Sequence, residues 1–414
     1  MSTTAKPRIL YIAYDGLTDN LGQSQILAYI KLLAQKGLSY TVFSHEKPEL
    51  YEANKQTVLD AIEGLDIKWV PNTYHKSPPV LSTYGDVQRG WKNLQELVKT
   101  DGVFDVVHCR SYIASILGLR LKRKYGTKFY FDMRGWFADE RKESGFWSGF
   151  PYNFVYNYFK DLEKTFFREC DYANSLTFVG QREIEKQGLK SPDLVSVIPT
   201  CVDLNLFKEY NDALRADVRS ELNIKEGARV LVYSGTIEGK YREESIMNVY
   251  KALLNIDPDA YFLLLTTTPE DYVRNCVDEY DLPQDKVRIT YSQFKNVHRY
   301  LIASDIGLIM YDNAFSVIGR SPTKLGEYWA CGVPAISHGD FGDLRFLMEK
   351  YPAGGALFED FNVESYQKAL QSCIDSNPAK ETLRSYAEDY FDVGKGADNY
   401  KIYLDKMLND VTGS

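Results

Sequence analysis

Short apolar runs separated by helix-length stretches recur in two series along the chain, and this pattern constrains the fold more tightly than any other feature. The runs RILYIAY (from Arg8), YTVFSH (from Tyr40), DVVHC (from Asp105), KFYFDM (from Lys128) and SVIPT (from Ser196) are bounded by turn residues and read as strands of a buried parallel sheet. Between the first two, QSQILAYIKLLAQKG sets Ile26, Leu27, Ile30, Leu33 and Ala34 at helical spacing and stops at Gly37, which makes a βαβ unit. After the polar stretch 208–229 a second series follows: RVLVYSG (from Arg229), YFLLLTT (from Tyr261), VRITYS (from Val287), IGLIMY (from Ile306) and VPAISH (from Val333). The expectation is two doubly wound α/β sheets joined by a hinge near Phe207, which suits 414 residues. Open parallel sheets bind ligands beyond the carboxyl ends of their strands, so two facing sheets would hold a ligand between them.

Composition removes several function classes. No stretch approaches the roughly 20 apolar residues of a membrane span. The lead MSTTAKPRILYIAYDG has no apolar region followed by a small-residue cleavage site, so secretion is not expected. Six cysteines without a CxxC pair suggest neither a disulfide framework nor a zinc cage, and are expected to be free thiols in a reducing cytosol. A net charge of −8 argues against nucleic acid as a partner, so any phosphate binding must be local. No acidic cluster suits a metal, and no metal or other cofactor is expected.

The sharpest segment is SPTKLGEYWACGVP over 321–334, where Ser321, Pro322 and Thr323 enter a short helix that stops at Gly332. A helix start offers unpaired N–H groups and about half a positive charge, which suits a diphosphate. Lys324 adds a mobile ammonium, and Glu327, one turn further in, is placed to accept hydrogen bonds from ribose hydroxyls. A first-turn glutamate that merely complements the helix dipole is the plainer alternative.

Together, SPTKLGEYWACGVPAI, VIPTCVDLNLF (from Val197), DVVHCRSY (from Asp105) and the Gly22 loop resemble retaining glycosyltransferase family 4, of the GT-B fold. The resemblance spans nearly the whole chain. It implies two facing Rossmann-like lobes. The N-terminal acceptor lobe would cover 1–207, completed by a crossover helix over 387–414, and the donor lobe 208–386. It also implies a nucleoside-diphosphate sugar as donor and a hydroxyl of a glycan or lipid-linked glycan as acceptor. FDMRGWFADERKESGFW (from Phe131), YSGTIEGKYREE (from Tyr233) and SPTKLGEY are similar to a branch found in bacterial surface-polysaccharide gene sets, which narrows the acceptor only loosely; the expected location is the cytoplasm, with the inner face of the cell membrane as the alternative. Two positions depart from the family: Gly319 stands where an acid is usual, and Thr236 follows Gly235 where an arginine is frequent.

A departing diphosphate needs positive charge where its bond breaks, and Lys240, Arg242 and Lys324 are the candidates, with Lys240 and Arg242 just beyond the Gly235 turn. For Lys240 and Arg242 the alternative is a solvated charge cluster with Glu243 and Glu244. In the N-terminal half, His108 and Arg110 end a strand, and one of them is expected to face ligand while the other packs. Arg110 would hold a carboxylate or phosphate on sugar or acceptor. Arg134, Trp136 and Asp139 in DMRGWFADER offer charge and aromatic surface for a carbohydrate, Arg134 foremost. The loop DGLTDNLGQSQ lacks GxGxxG spacing, and Gly22 is expected to let backbone approach phosphates. His75 and Lys76, in a proline-bounded loop, are weaker acceptor candidates. The aromatic stretch 146–167 suits either core packing or a membrane interface, which makes peripheral membrane association conceivable. Alternatives to a transferase are a non-catalytic partner subunit that binds nucleotide or glycan, a nucleotide-sugar epimerase, or a glycan phosphorylase.

Overall fold

The structure, a computed structural model, describes residues 6–237 and 240–412, with the side chains of 240–242 and 410–412 excepted. The chain divides into two compact units, Met1–Thr200 with Ile318–Arg320 and Val393–Ser414, and Cys201–Val317 with Ser321–Asp392. The turn from one unit to the next therefore falls at Cys201. Phe207, the expected hinge, is instead buried in the second unit's core beside Val202 and Phe391, and Val202 bridges Asp392. Buried apolar side chains on both sides of the supposed linker fix it in place.

The first unit carries strands β1 (Arg8–Ala13), β2 (Ser39–Glu46), β3 (Ile67–Thr73), β4 (Val106–Arg110), β5 (Lys128–Asp132), β6 (Tyr172–Ser175) and β7 (Val195–Val197), in the order β3-β2-β1-β4-β5-β6-β7. The second carries β8 (Val230–Ser234), β9 (Tyr261–Leu265), β10 (Val287–Thr290), β11 (Ile306–Ile309), β12 (Ala335–His338) and β13 (Gly355–Phe358), in the order β10-β9-β8-β11-β12-β13. Every pairing is parallel, and in each sheet the order reverses beside the first strand, the doubly wound arrangement that opens a crevice at the carboxyl ends. Both sheets are covered on both faces. In the first, Leu10, Ile12, Val107, Cys109, Phe129 and Phe131 pack one layer of helices, while Tyr11, His108 and Tyr130 point the other way and meet Tyr400 of the last helix, Val393–Thr412.

The strand period corrects one expectation. Residues two apart on a strand share a face, and His108 and Arg110 both lie opposite Val107 and Cys109. They therefore share one face of the sheet, and any difference in their roles comes from depth and not from opposite directions.

Candidate active site

In the first unit, the loop after β1 is built around a buried carboxylate. Glu46, at the end of β2, accepts the Leu17 and Thr18 amides at 2.8 and 3.1 Å and the hydroxyls of Thr18 and Ser44. Asp19 then caps the first helix by accepting the Gly22 amide at 2.8 Å. A β-carbon on Gly22 would lie 1.8 Å from the Gly16 carbonyl oxygen, so its missing side chain serves the loop's own backbone and not a phosphate. The helix begins over Asn20–Gly22, widens into a π-helical stretch at Gln23–Leu27 and continues as Ala28–Gln35. Such wide turns often sit at functional sites. Here the turn carries Gln25.

Gln25 Oε1 accepts from two guanidinium groups, Arg110 at 2.8 Å and Arg134 at 3.1 Å. Arg110, at the end of β4, also donates Nε to Asp15 Oδ2 at 3.2 Å, and its buried Nη1 meets no acceptor among the described residues. Arg134 follows β5 with a left-handed backbone (φ 60°), a conformation disfavoured for a side chain of this size, and donates to Thr200 Oγ1 at 3.0 Å. Its Nη1 lies 3.9 Å from Asp132. Burial opposes charge on Asp132, yet Arg134, with Arg110 beyond it, outweighs that cost and holds the carboxyl well below the usual range. Tyr400 and Asn174 donate to the same carboxylate at 3.1 and 3.0 Å. His108 is enclosed by Tyr11, Tyr130 and Tyr400, 3.8 Å from Asp132. Burial lowers its pKa, so it is neutral, and it lines a cavity of about 10 Å³ with Gln25 and Asp132. That space holds no more than a water. His108 is a buttress of the arginine pair and does not reach a substrate.

Two further expectations on this unit are corrected. Trp136 is fully buried beneath the Lys160 ammonium, so its ring offers no face to a sugar. Asp139 accepts from Tyr156 at 2.9 Å and Lys160 at 2.8 Å and is committed to structure. Gly319, in the segment belonging to this unit, is accounted for by the same indole, since a β-carbon there would lie 2.7 Å from Trp136 Cδ1. His75 pairs with buried Asp86 at 2.6 Å, which also accepts from Tyr14 and Arg89, while Lys76 is exposed.

In the second unit the predicted helix runs over Thr323–Ala330, and its N-cap position is Pro322, whose ring accepts no hydrogen bond; the Thr323 and Leu325 amides donate to the Ser321 and Pro322 carbonyls, each at 2.9 Å. The helix is fixed from below: Tyr328 donates to the Leu308 carbonyl at 3.1 Å, Trp329 to the Gly354 carbonyl at 2.7 Å, and Gly326 lets Phe391 approach. Gly332, at φ 72°, terminates it. Around its start, Lys324 Nζ lies 3.4 Å from Ser234 Oγ, Ser321 Oγ is buried without a partner among the described residues, and Glu327 is buried and accepts no hydrogen bond from a described side chain. Burial raises the Glu327 pKa, and the Lys324 charge opposes that only in part. The Gly235 amide is taken by the Leu265 carbonyl and the Thr236 carbonyl by the Tyr233 hydroxyl, leaving these two as a turn. The side chains of Lys240 and Arg242 lie outside the described residues. Among the described residues no group of three or more metal-ligating side chains converges.

Residues 23–206 match the family model for Glycosyltransferase Family 4. A sucrose-phosphate synthase from Thermosynechococcus elongatus superimposes with a TM-score of 0.72 at 15% identity, covering 98% of this chain and 100% of that one. A glycosyltransferase from Rickettsia africae ESF-5 gives 0.68 at 16% identity over 98% and 99%. Anabaena Alr3699/HepE in complex with UDP and glucose gives 0.68 at 13% identity over 96% and 99%. The fold is GT-B. No curated protein sequence matches the chain. Within the GT-B frame, the residues that sequence reasoning missed are Gln25, Asp15 and Ser234. Asp15 had a signal, as the first polar residue but one after a buried strand, whereas Gln25 is marked by nothing local.

Proposed function

We propose that the protein is a retaining glycosyltransferase that moves a sugar from a nucleoside-diphosphate sugar to a hydroxyl of a glycan or lipid-linked glycan during bacterial surface-polysaccharide synthesis. The observation that carries this reading is the open helix start at Thr323, where a buried serine hydroxyl, a lysine ammonium and a buried carboxylate are left without full satisfaction inside the fold. A diphosphate supplies an acceptor for the Ser321 hydroxyl and a stronger one than Ser234 for the Lys324 ammonium, at a helix start whose Thr323 and Leu325 amides already donate to the Ser321 and Pro322 carbonyls. Ribose hydroxyls supply the donors that Glu327 lacks. As the bond to the anomeric carbon breaks, negative charge grows on the diphosphate, and the helix dipole with Lys324 stabilises it there. The family match and the UDP and glucose held by the Anabaena protein support this donor class.

In the first unit, Arg110 and Arg134 are held rigidly by Gln25, Asp15 and Thr200, and the positive charge of this pair is the feature assigned to sugar or acceptor. Two groups packed with that pair are poor bases: burial keeps His108 from taking up a proton, and Asp132 is held well below the usual carboxylate range. Transfer on one face, with the departing phosphate taking the acceptor's proton, needs no protein base. The reaction proceeds without a divalent metal.

Incubation with a panel of nucleotide sugars and glycan acceptors tests the reading. Nucleotide is released only with acceptor present, EDTA leaves the rate unchanged, and NMR of the product shows the donor's anomeric configuration. An inverted product, or sugar interconversion with no acceptor, overturns it.

A further inference from the structure

The aromatic stretch that follows the arginine cluster separates into two sets with opposite directions. Trp147, Phe159, Phe166 and Phe167 are buried in the first unit's core. Phe146, Phe150, Phe154 and Tyr158 are 65%, 85%, 68% and 55% exposed, at a regular spacing of four. Phe154 and Tyr158 therefore lie one above the other on the helix Tyr152–Glu169, and Phe150, ahead of it, packs on Phe154 with ring centroids 5.9 Å apart. Single exposed apolar residues are ordinary, but Phe150, Phe154 and Tyr158 in one row, with exposed Phe146 in the turn before them, mark an interaction surface.

The strip is anchored. Trp147 lies between Phe146 and Phe150, its amide donates to the Arg141 carbonyl at 3.0 Å, and its ring stacks on Phe159 at 5.1 Å and meets Phe137 edge-on. Holding Trp147 inward turns its aromatic neighbours outward. The cost of ordering these rings is thus met by the fold before any partner arrives.

The occupant follows from the charges at the rim. Arg141, 5.5 Å from the Phe146 ring, and Lys142, 4.4 Å from the Tyr156 ring, have no carboxylate within ion-pair distance among the described residues. Other cations nearby are neutralised: Lys160 by Asp139 and Glu163, Lys164 by Asp161, and Arg168 by Glu169. The apolar strip gives way along the same helix face to exposed Asp161, Lys164 and Arg168. Aromatic rings at one end, free cations beside them and charge further along is the layout of a segment that enters the headgroup region and stops there. No helix among the described residues is long and apolar enough to cross a membrane.

We propose that Phe146, Phe150, Phe154 and Tyr158, with Arg141 and Lys142, dock the protein on the surface of an anionic lipid bilayer. The inference is independent of the reaction assigned above, since no residue of the helix start or the arginine pair takes part in it.

Co-sedimentation with phosphatidylcholine vesicles, with and without phosphatidylglycerol, tests the surface using the full chain. The protein sediments with the phosphatidylglycerol vesicles, and rising salt releases it. The double variant Phe150→Ser/Phe154→Ser lowers the bound fraction at least about tenfold, with an unchanged thermal melt because both rings are exposed. Arg141→Ser/Lys142→Ser abolishes the preference for phosphatidylglycerol. The proposal is overturned if the parent chain stays in the supernatant with both vesicle types, or if the phenylalanine variant binds as the parent does. Self-association in sedimentation velocity that the phenylalanine variant abolishes, without vesicle binding, overturns it in favour of a second copy of the chain.

Discussion

Glu327 shows a conflict between folding and ligand binding within one side chain. Its carboxyl is buried and its pKa is raised, so the folded state binds a proton more tightly than the unfolded state does. The sign follows: from the ordinary carboxylate range up to the raised folded value, stability falls as pH rises, and above that window the full cost persists. Glu327→Gln removes the charge but keeps the shape. It should raise the melting temperature at neutral pH by a few degrees, on a scale of about 2–4 °C per kcal/mol for a domain of this size, and flatten its dependence on pH. The same variant should bind nucleotide sugar more weakly in a thermal-shift titration, because a carboxamide is a poorer acceptor for ribose hydroxyls. A variant that is both less stable and unchanged in donor affinity would contradict the role. Lys324 has the opposite character, half-buried with its ammonium 3.4 Å from Ser234 Oγ. Lys324→Met should lower kcat about a hundredfold with little change in melting temperature.

Those two residues act through the helix that carries them, and its placement depends on one glycine in a strand. Gly307 lies in β11 under the Tyr328 ring, and a β-carbon there would stand 2.4 Å from that ring. Gly307→Ala should cost about 1–3 kcal/mol in a denaturant melt and weaken donor binding, although neither residue meets the donor. The element scale also explains what was legible in the sequence. The helix start was readable because its signals are contiguous: Ser321 to Gly332 carry polar groups, a proline and a stop in one short run. The long apolar strands were readable for the same reason. β3 was missed because IKWVPNT is an edge strand with alternate exposure and a proline, which only an edge tolerates. β6 (YANS) and β13 (GALF) are four residues each and owe their state to neighbours in the sheet. The arginine pair was only half legible. Arg110 and Arg134 lie at strand ends, where ligands gather, but Gln25, which joins them, is distant in sequence from both. Trp136 and Asp139 misled because a mixed aromatic and charged run has the same composition whether it faces solvent or packs inward.

At the scale of the molecule, the first unit is completed by the last helix. Tyr400, Leu404 and Met407 of Val393–Thr412 are buried, and Tyr400 donates to Asp132 beneath the arginine pair. Ending the chain at Asp392 should therefore unfold or loosen the first unit selectively. Hydrogen exchange should show lost protection over β1, β4 and β5, with β8, β9 and β11 still protected, and nucleotide binding at the Thr323 helix start should survive. Equal loss in both units would argue against this division.

The position of that helix also fixes an order of events during synthesis. The N-terminal residues leave the ribosome first, yet the face of their sheet that carries Tyr11 and His108 is covered only in part, by the helix Ala28–Gln35, until Val393–Thr412 emerges. All of the second unit but its closing contacts is translated in the interval. The later-made half is thus free to mature before the earlier one. A chain that stops before Val393 leaves the arginine pair without the tyrosine beneath Asp132, while the helix at Thr323 in the second unit keeps every residue that places it.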